Sequence, residues 1–277
     1  MPELPEVETV RRGLEPLAGD SLIDVAVHHP RAVRHQEGGA AELVERLRGA
    51  RLLGTGRRGK FLWLTIDRPW VLLIHLGMSG QLRVMDADGA GALRASGSQN
   101  PHLRVSAQLG SRELWFVDQR TFGYWWATDL RAIGHIAPDL LEADLWELAA
   151  KLKAKRLEIK RLLLNQEVVS GIGNIYADEM LWDAGVHPRQ RADRLALRRI
   201  VRLLEAGRAV MERALAAGGT SFDALYVNVN GESGYFERSL NAYGRQGQAC
   251  RRCGAEMQRV QWAGRSNHFC PRCQRRR

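Results

Sequence analysis

The sequence predicts an α+β protein in which a β-rich first half gives way to helices and then to a short hairpin clamped by a metal. Three observations carry this. Short β-rich runs split by glycine and polar turns fill residues 21–118, helical periodicity takes over after Gly134, and all four cysteines lie between Cys250 and Cys273.

The chain opens on a helix, because Leu4, Val7, Val10, Leu14 and Leu17 recur at steps of three and four and Pro5 and Glu6 suit a first turn. Strands are predicted over 21–28, 51–57, 60–66, 70–76, 81–85, 102–109 and 113–118, with one helix over 40–47 among them. Their number and spacing fit a sandwich or a barrel. The glycine-rich stretch 88–100 reads as a surface loop. Beyond Gly134 the periodicity predicts helices over 140–152, 157–165, 175–184 and 195–217, the last closed by Gly218-Gly219. Between the second and third, Val169-Ser170-Gly171-Ile172-Gly173-Asn174 is a glycine-rich turn that opens a helix. Such a turn suits an anion, and serves equally well as a tight helix–helix connection. Domain boundaries are expected at 1–133, 134–244 and 245–277, with a glycine-rich segment over 218–236.

The charge is concentrated. The chain carries +10, and the segment 245–277, with nine arginines and one glutamate, supplies +8 of it. A compact basic segment is an electrostatic footprint for phosphates; the plainer alternative is a solvated tail. Composition excludes a disordered chain, with 45% hydrophobic residues. The longest apolar runs, 61–66 and 70–76, are too short for a bilayer, and the start has no basic-then-apolar signal, so neither a secreted nor a membrane protein is expected.

The cysteines stand as Cys250-x2-Cys253 and Cys270-x2-Cys273, sixteen residues apart. Two such knuckles supply a closed tetrahedron of thiolates, which is a structural zinc site with no open position for catalysis. One structural Zn²⁺ is therefore expected. Between the knuckles, strands over 256–262 and 265–269 meet at Ala263-Gly264 and hold Arg265 near the turn. No recognition helix fits there, so the hairpin suits backbone or minor groove better than major-groove bases.

Read together, these segments resemble the formamidopyrimidine-DNA glycosylase family, bacterial base-excision enzymes for oxidised purines. The resemblance runs from Pro2-Glu3-Leu4-Pro5-Glu6-Val7-Glu8 through Arg58-Gly59-Lys60, His75-Leu76-Gly77-Met78-Ser79-Gly80, Asp118-Gln119-Arg120-Thr121-Phe122-Gly123 and Gly171-Ile172-Gly173-Asn174-Ile175-Tyr176-Ala177 to Gly234-Tyr235-Phe236, Tyr243-Gly244-Arg245 and the zinc hairpin. It implies an N-terminal β-sandwich with flanking helices, then a helix–two-turn–helix domain carrying the zinc finger. It also implies a monomer, cytoplasmic and nucleoid-associated, acting on double-stranded DNA that contains oxidised bases or abasic sites.

The resemblance gives Pro2 the role of nucleophile once Met1 is removed. The chemistry agrees: a terminal amine titrates near about 8 and lysine near about 10.4, so the former is free roughly a hundred-fold more often at neutral pH. A secondary amine condenses to a permanently cationic iminium, an electron sink that opens the route to elimination. The same resemblance makes Glu3 a proton donor to the opening sugar, Lys60 a phosphate contact and proton donor in β-elimination, and Arg265 the corresponding donor in δ-elimination. Met78, Arg120 and Phe122 match the trio inserted where the damaged nucleotide leaves the duplex. His75, His102, Lys155 and Asn174 match DNA-contact positions, and 220–235 matches the loop that covers an everted purine. Taken alone, Pro2 is a helix-start residue, Met78 and Phe122 are core, and Lys60 is a solvated turn lysine.

Two rivals remain open. One is the related endonuclease for oxidised pyrimidines, against which Leu4-Pro5 and the separate positions of Met78, Arg120 and Phe122 argue. The other is a non-catalytic damaged-DNA-binding zinc protein, against which the Pro2-Glu3 pair argues. Without the resemblance, the residues support a zinc-hairpin nucleic-acid-binding protein.

Overall fold

The computed structural model describes residues 2–86, 100–219 and 239–276. The chain divides into two compact units, Met1–Gly134 with Gly218–Gly234, and His135–Ala217 with Tyr235–Arg277.

The first unit opens on α1 (Leu4–Leu14), whose Val7, Val10 and Leu14 face inward. Glu3 is its extended N-cap, and Glu6 Oε2 accepts from the Glu3 amide at 2.8 Å, one arm of a capping box. The helix stops short of Leu17 because Pro16 cannot continue it, and Glu15–Leu17 forms a 3₁₀ turn instead. The strands follow as β1 (Leu22–Val27), β2 (Leu52–Arg58), β3 (Phe61–Ile66), β4 (Val71–His75), β5 (Gly80–Asp86), β6 (Leu103–Leu109), β7 (Arg112–Asp118) and β8 (Tyr124–Thr128), with α2 (Gly39–Leu47) after β1. They make two antiparallel sheets, ordered β1-β6-β7-β5 and β2-β3-β4-β8. Leu62, Leu64 and Ile66 alternate inward on β3 and share a core with Val105, Leu114 and Phe116 of the other sheet and with both helices. The arrangement is a sandwich, not a barrel. Strand β8 lies outside the strands expected from sequence; it completes the second sheet by pairing His75 with Tyr124 and Ile74 with Trp125.

The second unit holds α3 (Leu145–Lys153), α4 (Ile159–Leu163), α5 (Asn174–Asp183), α6 (Leu197–Ala216) and a hairpin of β9 (Gln258–Trp262) and β10 (Arg265–Phe269). The helix expected from 140 begins at Leu145. Asp139 Oδ1 turns the chain by accepting from Leu141 N at 3.0 Å, and Asp144 caps α3 by accepting from Trp146 N and Glu147 N at 2.9 and 2.8 Å. Helix α5 is buried along most of its length and packs on α6, where a side chain at Gly207 would collide with Met180 and Leu140. Among the described residues no helix is long and apolar enough to cross a membrane.

Candidate active site and nucleic-acid interface

Pro2 and Glu3 lie where α1 begins, and both are buried, as is Glu6. Gly219 comes against Glu6: a Cβ there would stand 3.3 Å from Glu6 Cγ. Lys60 sits in the β2–β3 turn beside Gly59, whose φ of +56° glycine adopts without strain. What fixes that turn is Glu8, one helical turn beyond the N-terminus. Its carboxylate accepts from Arg11 Nε and Nη2 at 2.9 Å each, from Arg12 Nε at 2.8 Å and from Arg57 Nε at 2.9 Å. Arg57 in turn donates to Gly59 O at 3.1 Å, so the lysine turn is strapped to α1. Burial pushes the Glu8 carboxyl up, but the three guanidinium partners outweigh it and hold the group at about 2. Nearby, His75 closes β4 among aromatic rings, 4.9 Å from Phe61 and stacked at 5.5 Å on Tyr124. Burial, and then the charges of Lys60, Arg34 and His35, push its imidazole down to about 4, so it is neutral at pH 7. Its Nδ1 accepts from Gly77 N at 3.1 Å, which leaves Nε2–H as the donor.

Met78 and Phe122 do not join the core. They are 44% and 42% exposed, among the largest exposed apolar side chains of the unit, and Arg120 is exposed beside them with Nη1 3.9 Å from Met78 Sδ. The two loops that carry them are tied by Asp118, which is fully buried. Its carboxylate accepts from Ser79 Oγ at 2.6 Å, Arg120 N at 3.1 Å and Gly123 N at 2.7 Å. Close approach also demands Gly77, since a Cβ would strike the backbone of Phe122 and Gly123. Thr121 takes a left-handed φ of +53° in the bend between Arg120 and Phe122. His102 joins the same anchor from the other side, its carbonyl accepting from Asp118 N at 2.8 Å. The expected covering loop, 220–235, lies outside the described residues.

In the second unit, Arg265 is exposed at the start of β10, after a turn in which Ala263 and Gly264 both have positive φ. Lys155 is exposed just past α3. Asn174 opens α5, but its amide Nδ2 donates to Ser266 O at 3.0 Å, so it holds the hairpin beside Arg265. Lys160, 1% exposed, does the same from α4 at 3.2 Å and pairs with Asp178 at 2.6 Å. The other oxygen of Asp178 accepts from His268 N and meets His268 Nδ1, both at 3.0 Å. A groove of about 380 Å³ runs between α4 and the hairpin, lined by Lys160, Arg161, Trp262 and Arg265 among others.

Cys250, Cys253, Cys270 and Cys273 bring their sulfurs within 4.8 Å of one another. A tetrahedral zinc–thiolate centre has sulfurs about 3.8 Å apart, so this donor set fits zinc. Trp182 Nε1 donates to Cys250 Sγ at 3.4 Å, and Gln274 Oε1 accepts from Cys270 N at 2.8 Å, which orient the knuckles from outside.

Residues 1–125 match the family model of the formamidopyrimidine-DNA glycosylase N-terminal domain, 136–225 that of its H2TH domain, and 247–276 a zinc finger found in FPG and IleRS. The chain belongs to the formamidopyrimidine-DNA glycosylase family. Among family members it is 57% identical to the formamidopyrimidine-DNA glycosylase of Corynebacterium efficiens, with 99% of each chain covered. The enzyme of that name from Mycolicibacterium smegmatis is 52% identical, over 100% of this chain and 98% of the other. Among solved structures, the complex of Lactococcus lactis Fpg with an abasic site containing DNA is similar at a TM-score of 0.87 and 34% identity, covering 99% and 100% of the chains. A MutM complex with carbocyclic 8-oxo-G containing DNA reaches 0.88 at the same identity and coverage.

Sequence reading missed Glu8, Arg57, Arg34 and Asp118, which brace the turns and loops of the first unit, and Asp178, which braces the hairpin within the second. Glu8 and Asp118 lie inside motifs that carry the family resemblance, which was their available signal. Arg34 is one of 36 arginines and gives none.

Proposed function

We propose that this chain is a bifunctional DNA glycosylase and AP lyase that excises oxidised purines, 8-oxoguanine and formamidopyrimidines, from duplex DNA. Pro2, freed of Met1, attacks C1′ through its nitrogen while the glycosidic bond breaks and the base departs. Glu3, desolvated at the head of α1, protonates the ring oxygen as the sugar opens. The resulting iminium acidifies C2′–H; loss of that proton expels the 3′ phosphate, and a second elimination expels the 5′ phosphate. Lys60 and Arg265 supply protons to the two departures, and Arg265 grips a phosphate in two-point fashion. Met78, Arg120 and Phe122 fill the space the nucleotide leaves. Lys155, Asn174, His75 and His102 bind the backbone around it. The four cysteines hold one structural zinc, and the protein works as a monomer in the bacterial cytoplasm, at the nucleoid.

The observation that carries this reading is the pairing of buried Pro2 and Glu3 with a lysine turn strapped by Arg57 and Glu8 to the same helix. A core function for the wedge residues is not needed, since both apolar members are solvent-exposed. The test is borohydride trapping of protein lacking Met1 on an 8-oxoguanine duplex. One covalent adduct mapping to Pro2 is expected, with Glu3→Gln blocking base release but still nicking a preformed abasic site. An adduct on a lysine with Pro2 unmodified refutes the mechanism.

A further inference from the structure

Arg34 lies between the 3₁₀ turn Pro30–Val33 and α2, far in sequence from the wedge loop, yet its guanidinium, whose Nη1 also donates to Arg31 O at 3.0 Å, reaches that loop. Nη2 donates to Phe122 O at 2.8 Å and Nη1 to Gly123 O at 2.9 Å, so one planar fork spans two successive carbonyls. The same guanidinium lies 4.6 Å from the Tyr124 ring centre, and that ring stacks on His75. Its neighbour Arg31 places a guanidinium 5.6 Å from the Phe122 ring. On the opposite side Asp118 takes the Gly123 amide at 2.7 Å.

A wedge works only if its backbone resists the push of the base step it parts. The segment Thr121-Phe122-Gly123 has a left-handed residue on one side of Phe122 and a glycine on the other. It pairs as a strand only from Tyr124 onward. Fixation must therefore come from side chains, and the carbonyl face of Phe122 and Gly123 is held by Arg34.

We propose that Arg34 is a positioning residue for base extrusion, a strut that fixes the carbonyls of Phe122 and Gly123 so that the Phe122 ring can part the duplex. The inference rests on the glycosylase reading above and adds a residue to it. Arg34 touches neither sugar nor base; it acts through Phe122, and its loss slows the step that opens the stack while sparing elimination at a site already without a base.

The experiment compares wild type, Arg34→Met, Arg34→Lys, Phe122→Ala and the Arg34→Met/Phe122→Ala double variant. Single-turnover base release is measured on an 8-oxoguanine duplex, and nicking on a preformed abasic duplex. Arg34→Met should release base about tenfold more slowly, the equivalent of one net hydrogen bond, and Arg34→Lys should recover part of this. Nicking should stay within about twofold, and the double variant should be no slower than Phe122→Ala, because both changes remove one element. Losses that multiply in the double variant, or nicking that falls in parallel with base release, overturn the strut. Should Arg34→Met fail to melt cooperatively, Arg34→Lys with and without Phe122→Ala carries the same comparison. If wild type releases no oxidised purine, the glycosylase reading itself fails. If wild type does and Phe122→Ala is slow while the Arg34 variants match wild type, only the strut fails; Phe122→Ala at the wild-type rate also overturns it, for then there is no wedge to hold.

Discussion

Replacing Glu8 by glutamine should loosen the lysine turn and destabilise the first unit in a pH-dependent way. The carboxylate accepts four hydrogen bonds from Arg11, Arg12 and Arg57, and the Arg57 side chain is only 6% exposed. Glutamine keeps the shape, but it removes the charge and turns an N–H donor toward one of the guanidinium groups. A carboxyl held at about 2 rather than 4.5 contributes about 3 kcal/mol at neutral pH. Because Arg12 is 58% exposed, solvent screening trims this to about 2 kcal/mol. The group is depressed in the folded state, so its contribution is complete above the unfolded value of 4.5 and fades as pH falls through about 2. Urea unfolding followed by tryptophan fluorescence should therefore separate wild type from Glu8→Gln by about 2 kcal/mol at neutral pH, with the gap closing in acid. Borohydride trapping should weaken as well, since the Lys60 turn loses its strap. A neutral-pH difference below about 0.5 kcal/mol, or a gap that is constant across the acid range, would refute the reasoning.

Cys250→Ser should lower bound zinc and weaken DNA binding while the sandwich keeps its near-UV signature; full zinc content with unchanged DNA affinity would remove the structural role of the metal. The imidazole of His75, pushed down to about 4 by burial and by neighbouring cations, takes up its proton in the unfolded chain first. Stability should therefore fall as pH drops from about 6.5 toward 4, by up to about 1.4 kcal/mol per pH unit, and His75→Gln should flatten that slope; equal slopes would contradict the assignment.

How far the sequence reaches differs by feature. Most strands were legible because inward and outward residues alternate, as on β3. Strand β8 was not predicted, although Tyr124 and Trp126 alternate with buried Trp125 and Ala127. Strand pattern alone does not choose between sandwich and barrel, because that depends on which edges pair, and the sandwich came from the family resemblance; the isolated Ser21–Arg51 bridge is a joint that no local pattern encodes. Helix α3 begins late because Asp139 holds the Leu141 amide in a local turn and Asp144 caps the helix that follows. The thiolate cluster was readable from spacing alone. The supporting charges were not: Asp178 has no local signature, and only the fold sets it between Lys160 and His268, which lie 108 residues apart in sequence.

That last arrangement bears on whether the zinc hairpin is a separable cassette. Its sequence matches a finger model shared with another protein family, which invites the view that it could be lifted out or grafted. Here its backbone is written into the helical body: Ser266 O is an acceptor for α4 and α5, and His268 completes the sphere of a buried aspartate. Removing the hairpin would leave Lys160 and Asp178, both fully buried now, with partners missing and water admitted, a far larger penalty than the loss of one exposed loop. Finger and helices should therefore melt as one cooperative block, and a transplant of the finger must carry Lys160, Asn174 and Asp178 with it.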